Sequence, residues 1–176
     1  QHLKEHQLHS DVHPGERLFF FTTCGWMMWN WLASALASQV TVVLFEGSPF
    51  HPDEGVLRRL ASEERVALFG TSPKYLAALE KSGYRPVDKV DLVNLRTVLS
   101  TGSPLAHEQF DFVRDAIGAD IQLASISGGT DIVSCFALGN PTLPVYRGEL
   151  QCRGLGMRVE VFDDDGRPLQ GQQGEL

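Results

Sequence analysis

The stretch Ser125-Ile126-Ser127-Gly128-Gly129-Thr130-Asp131 concentrates the groups that handle phosphate. Two adjacent glycines let backbone N–H groups approach an anion closely. The Thr130 hydroxyl can bond a phosphate oxygen, and the Asp131 carboxylate can hold Mg²⁺. The same composition also makes an ordinary turn. Neither Gly-x-x-x-x-Gly-Lys-Ser/Thr nor Gly-x-Ser-x-Gly is present, so the usual phosphate-loop and nucleophile-elbow chemistries are excluded. A second tight turn is Gly102-Ser103-Pro104, and a third, at Cys24-Gly25, leads into Trp26, Met27 and Met28 at the start of a helical run. Trp and Met at such a place either fill a core or line a pocket. His2, His6, His9 and His13 fall at helical spacing on one face, and two or three imidazoles can grip a transition metal. No cysteine or carboxylate completes a convincing ligand set, although Glu5 and Asp11 are nearby, and Pro14-Gly15 ends the helix before His13. A solvated polar face is the expectation there.

The elements that must position these groups are legible as alternating apolar runs. Glu16–Thr22, Val40–Phe45, Val66–Phe69, Arg96–Ser100 and Ile121–Ala124 read as five buried strands. Between them lie helical patterns. Trp26–Ser38 is apolar on nearly every side; Glu54–Glu64 follows a cap at Asp53; Lys74–Lys81 follows Ser72-Pro73; Leu105–Ile117 places Phe110, Val113 and Ile117 at helical spacing. Strands separated by helices predict an α/β fold, a doubly wound and mainly parallel sheet with helices on both faces. Ligands bind such sheets beyond the C-terminal ends of the strands. Cys24-Gly25-Trp26, Gly70-Thr71-Ser72, Gly102-Ser103-Pro104 and Ser127 to Asp131 all fall at those ends, and this shared placement says more than any one motif. After Ile132 the pattern turns to short alternating segments and turns, among them Arg158–Phe162 and Asp164-Asp165-Gly166. The expected organisation is an α/β unit over 1–145 and the start of a small antiparallel lobe over 146–176.

Composition bounds the partners. With 176 residues, 43% hydrophobic and 21% charged, the chain has apolar mass for a core. A formal charge of −7 argues against a general nucleic-acid binder. No apolar run approaches the length of a bilayer span, and the polar, histidine-rich N-terminus has no signal-peptide pattern. Cys24, Cys135 and Cys152 are odd in number and widely spaced, which fits a reducing, cytoplasmic setting.

Taken in order, four passages make the chain resemble the adenylate-forming acyl-CoA synthetases. They are Thr22 to Trp31 (TTCGWMMWNW), Leu44 to Pro49 (LFEGSP), Ser100 to Leu105 (STGSPL), and Ser125 to Asp131 continuing to Pro141–Leu150 (PTLPVYRGEL). Within that superfamily they most resemble the branch that activates acetoacetate. The resemblance implies that Gly102, Ser103 and Pro104 flank the adenine of ATP. It implies that Ser127, Gly128, Gly129 and Thr130 face the phosphates, that Asp131 holds Mg²⁺, and that Gly25, Trp26, Met27 and Met28 surround the acyl group. Ser127 stands where relatives carry an aromatic that stacks on adenine, and Asp131 stands in place of Glu. The implied substrates are ATP, a short carboxylate such as acetoacetate, and CoA. The implied phosphate loop with its lysine precedes Gln1, and the C-terminal catalytic lysine follows Leu176, so this segment alone is expected to be inactive. An acetyl- or propionyl-CoA synthetase-like enzyme and a non-catalytic nucleotide- or partner-binding module remain alternatives.

Overall fold

The computed structural model describes residues 1–176. Five strands form one parallel sheet: β1 (Arg17–Phe20), β2 (Thr41–Val43), β3 (Leu68–Thr71), β4 (Thr97–Ser100) and β5 (Gln122–Ser125), in the order β2-β1-β3-β4-β5. Each lies within two residues of the boundaries expected from its apolar run. The chain crosses from β1 to β2 in one direction and returns over β1 to β3, β4 and β5 in the other. Because parallel crossovers are right-handed, this reversal places the connecting helices on opposite faces. Helix α2 (Met27–Ser34) covers one face; α3 (Val56–Glu63), α4 (Pro73–Ser82) and α5 (His107–Ala116) cover the other.

The pleat sorts each strand's residues between two cores. Leu18, Phe20, Leu68, Leu99 and Ala124 pack with Met28, Trp31 and Leu32 of α2. Phe19, Phe69, Val98 and Leu123 pack with Leu57, Leu76 and Val113 of α3, α4 and α5. Gly70 lies under the Phe20 ring, where a Cβ would collide with it.

Local chemistry explains most of the ends. Ser72 caps α4 by accepting the Tyr75 N–H, Pro73 occupies the first turn, and Gly83 closes it at φ +73°. Helix α3 departs from expectation: it starts at Val56 with Gly55 at the cap. The Asp53 carboxylate instead accepts the Gly55 N–H at 2.8 Å and both arms of Arg59.

Two further features differ from the sequence-based reading. Ser127–Gly129 is a short strand, β6, which pairs antiparallel with β7 (Ser134–Leu138), and β7 with β8 (Cys152–Arg153). The loop beyond β5 is therefore fixed by a small sheet, with a register shift between Ser127 and Gly128. Strands β9 (Val161–Phe162) and β10 (Pro168–Leu169) form a separate hairpin. The N-terminal helix, α1 (His2–Lys4) continuing as one wide turn over Glu5–His9, is no solvated face: Glu5, His6, His9 and Ser10 are buried. No helix is long and apolar enough to cross a membrane.

Candidate functional site

Beyond the C-terminal ends of β1, β4 and β5 the structure opens a cleft of about 490 Å³. Three of its walls are the segments singled out from sequence: Trp26–Met28, Gly102–Pro104 and Ser127–Thr130. Two expected residues stand outside it. Gly25 is exposed in the turn before Trp26, and Asp131 is exposed one residue past Thr130. Gly70, Thr71 and Ser72 also do not line the cleft: Gly70 lies under the Phe20 ring, Thr71 is fully buried, and the Ser72 hydroxyl is taken up in capping α4.

The walls are fastened to one another. The Thr101 hydroxyl donates to the Ile126 carbonyl at 2.9 Å, joining the turn after β4 to the loop after β5. Gly102 holds φ +99°, and Trp26 packs over it with a ring atom 3.5 Å from where a Cβ would stand; the left-handed turn requires glycine there. Trp26 also meets Phe20 edge to face at 5.9 Å, which ties the first turn of α2 to β1. Met27 and Met28 are 8% and 2% exposed, so the two side chains belong to the core under α2 while also lining the cleft.

Gly128 has a different constraint. A Cβ there would lie 2.5 Å from the Ser134 carbonyl oxygen and 3.1 Å from the Cys135 Cα. The close approach of β6 to β7 thus demands glycine, and it presents the backbone of the loop to the cleft. Beyond β6 the Thr130 carbonyl accepts the Val133 N–H at 3.0 Å, and Val133 takes φ +49° to close the turn. A β-branched residue in that region is a backbone outlier, of the kind that clusters at ligand sites.

The remaining wall was missed from sequence. Gly148, Glu149 and Leu150 line the cleft from a turn in which the Glu149 N–H donates to the Tyr146 carbonyl at 3.2 Å. Its position is set by α5. Arg147 Nε donates to Asp111 at 2.9 Å, Arg147 Nη1 donates to His107 Nδ1 at 3.1 Å, and Gly148, at φ +84°, lies against the His107 ring. The segment belongs to the Pro141–Leu150 passage that carries the family resemblance, but its turn residues have no periodicity that marks them as a cleft wall. Glu149 is the one charged side chain lining the cleft. Cys135 lies at its base, where burial, with the Glu5 carboxylate beside it, pushes the thiol well above the ordinary cysteine range. A protonated thiol is no nucleophile.

Mg²⁺ takes one or two carboxylates and completes its shell with water and substrate phosphates. No group of three or more His, Cys, Asp or Glu side chains is placed to hold a metal ion. The adjacent, exposed Thr130 and Asp131 suit an ion carried in with a polyphosphate and not a cage made by the protein alone.

A parallel sheet of this order, with a glycine-lined cleft that carries no cationic side chain beyond its strand ends, defines a nucleotide-binding α/β enzyme domain. The chain belongs to the family of AMP-binding enzymes, whose family model matches residues 2–176. It is 60% identical over all 176 residues to the acetoacetyl-coenzyme A synthetase of Rhizobium meliloti (strain 1021), of which it covers 27%. It is 43% identical to the malonamoyl-CoA synthetase vrtB of Penicillium aethiopicum, covering 100% of this chain and 27% of that protein. The solved acetoacetyl-CoA synthetase from Streptomyces lividans superposes with a TM-score of 0.92 at 46% identity, over 98% of this chain and 27% of that one. The chain therefore spans about a quarter of the length of the relatives it matches.

Proposed function

We propose that this segment supplies the nucleotide and acyl cleft of an ATP-dependent acid–thiol ligase, cytoplasmic, whose acid is acetoacetate. A carboxylate oxygen of the acid attacks the α-phosphorus of ATP and pyrophosphate leaves, giving an acyl-adenylate. The CoA thiol then attacks the acyl carbon, a thioester forms, and AMP leaves. Residues 1–145 serve as the α/β part of the adenylation domain and 146–176 as the start of its small β part.

The observation that carries this reading is the convergence of Trp26–Met28, Gly102–Pro104 and Ser127–Thr130 on one cleft. Gly102, Ser103 and Pro104 flank the adenine. The β6 backbone and the Thr130 hydroxyl receive the phosphates, with N–H and O–H donors aimed at oxygen atoms that gain charge in the transition state. Asp131 and Thr130 would hold Mg²⁺, which neutralises phosphate charge when bound. Trp26, Met27 and Met28 form the acyl wall. In-line phosphoryl chemistry asks for positioning and charge stabilisation more than for a protein nucleophile, and the neutral Cys135 is in keeping with that.

The names of the relatives support the choice of acid. Acetoacetate and malonamate share a carbonyl two carbons from the carboxylate, which makes them near-isosteres. The test is acid-dependent ATP–pyrophosphate exchange by the full-length polypeptide with acetoacetate, malonamate, acetate and propionate. Acetoacetate should support the fastest exchange. Faster exchange with acetate or propionate would transfer the protein to that branch, and nucleotide binding without exchange would make it a non-catalytic module.

A further inference from the structure

The N-terminal helix places one carboxylate between the two sides of the cleft. Glu5 is fully buried. Its Oε2 accepts the Trp31 indole N–H at 3.0 Å, from α2, the helix whose first turn carries Met27 and Met28. Its Oε1 accepts the Ser134 hydroxyl and, at 3.5 Å, the Cys135 N–H, both from β7. Strand β7 is the partner that holds Gly128 and Gly129. Gln1 Nε2 donates to Oε1 at 3.3 Å. Every group around the carboxylate is a donor, so its oxygens are matched to acceptors' work.

Neighbouring residues of the same helix repeat the connection. His2 bonds the Ser34 hydroxyl at 2.8 Å through Nδ1 and the Val133 carbonyl through Nε2. His6 Nε2 donates to the Trp31 carbonyl at 2.9 Å. His9 Nδ1 donates to the Gly139 carbonyl at 2.8 Å while its Nε2 accepts the Leu155 N–H at 3.0 Å. One helical face thus reaches α2 on one side and both ends of Val133–Gly139 on the other.

We propose that Glu5 is a positioning residue for the adenylation cleft: through Trp31 and Ser134 it sets the spacing between the acyl wall and the phosphate-facing strand β6. The proposal rests on the ligase reading above. Glu5 touches no substrate. It acts by removing freedom from two elements that must present their groups together, and misplacement of a reacting pair by about 1 Å can slow a reaction by about a hundredfold.

The experiment uses the full-length polypeptide with Glu5→Ala, Glu5→Gln and Ser134→Ala. Three quantities are measured: amide hydrogen exchange over residues 127–136, the rate of ATP–pyrophosphate exchange per active site, and the preference for acetoacetate over butyrate. Glu5→Ala should raise exchange at 127–136 by at least about tenfold relative to the β1 and β3 amides. It should also lower the per-site rate about 10- to 100-fold and flatten the acid preference. Glu5→Gln should recover most of both, because its amide oxygen accepts the Trp31 N–H and its NH₂ donates to the Ser134 hydroxyl oxygen. Ser134→Ala cuts only the β7 side and should loosen the loop while leaving α2 unchanged, which keeps the test decisive if Glu5→Ala does not fold. A merely structural Glu5 would lower the melting temperature and the number of active sites, yet leave per-site rate, acid preference and loop exchange at wild-type values; that result overturns the proposal. Absence of acid-dependent exchange in the wild type defeats the ligase reading instead, and the loop amides then decide Glu5 on their own.

Discussion

Asp131→Asn keeps the shape of the loop and removes one charge at the place where Mg²⁺ and phosphate are proposed to meet. Losing one charged contact to the developing transition state should cost on the order of 3 kcal/mol, about a hundredfold in rate. Asp131 is exposed, so stability should change little. Thr130→Ala should slow exchange less. The measurement is ATP–pyrophosphate exchange across a Mg²⁺ titration, and an Asp131→Asn variant with wild-type rate and Mg²⁺ dependence would remove the metal assignment. Met28 is a different case, because it is at once core and cleft wall. Met28→Ala should lower stability by about 2–5 kcal/mol through the cavity it leaves. It should also shift preference toward longer acids by a graded ~1–3 kcal/mol per methylene. Destabilisation with an unchanged acid profile would confine Met28 to the core.

At the scale of elements, the N-terminal helix and α4 make opposite kinds of claim. Helix α4 is held by local chemistry: Ser72→Ala should cost about 1 kcal/mol in urea unfolding through loss of the cap, and no loss would mean that the Tyr75 N–H finds another acceptor. The N-terminal helix is held by burial. Burial lowers the His6 pKa from 6.5 to about 4, with the Trp31 carbonyl pulling the other way. Between those values the unfolded chain binds the proton and the folded one does not. Stability is therefore complete above about pH 6.5 and falls as pH drops toward 4, by up to about 3 kcal/mol. His6→Gln keeps a donor for the Trp31 carbonyl and cannot titrate. Its unfolding free energy should fall less than that of the wild type between pH 7 and pH 4.5; equal losses would show that His6 is not the group responsible.

At the scale of the whole molecule, the cleft lacks cationic side chains. Its one charged lining residue is Glu149, whereas the transfer of a nucleotidyl group from a polyphosphate needs positive charge close to the oxygens. The 176-residue chain tested by itself should accordingly release no pyrophosphate in response to acetoacetate and MgATP. Release above background would show that the loop backbone and Mg²⁺ suffice. The same lack of charge fits a chain that spans about a quarter of its relatives' length.

The order of strands and helices was legible because each β strand is a short apolar run between turn residues, and each run is a local property. The strand-end loops followed from topology, since parallel strands present their C-terminal ends together. Helix α4 was legible to within one residue at each end from Ser72, Pro73 and Gly83. The histidine face was not. His2, Glu5, His6 and His9 have the spacing and polarity of a solvated surface, and nothing nearby in the chain marks them as buried. Their partners are Trp31, Ser134, Gly139 and Leu155, most of them from the far end of the chain. The wall at Gly148–Leu150 was hidden for the same reason, being placed by His107 and Asp111 of α5. Apolar periodicity is written along the chain, so sequence determined the layers. A buried polar group is stable only where a distant partner completes its hydrogen bonds, and only the tertiary structure decided which partners those are.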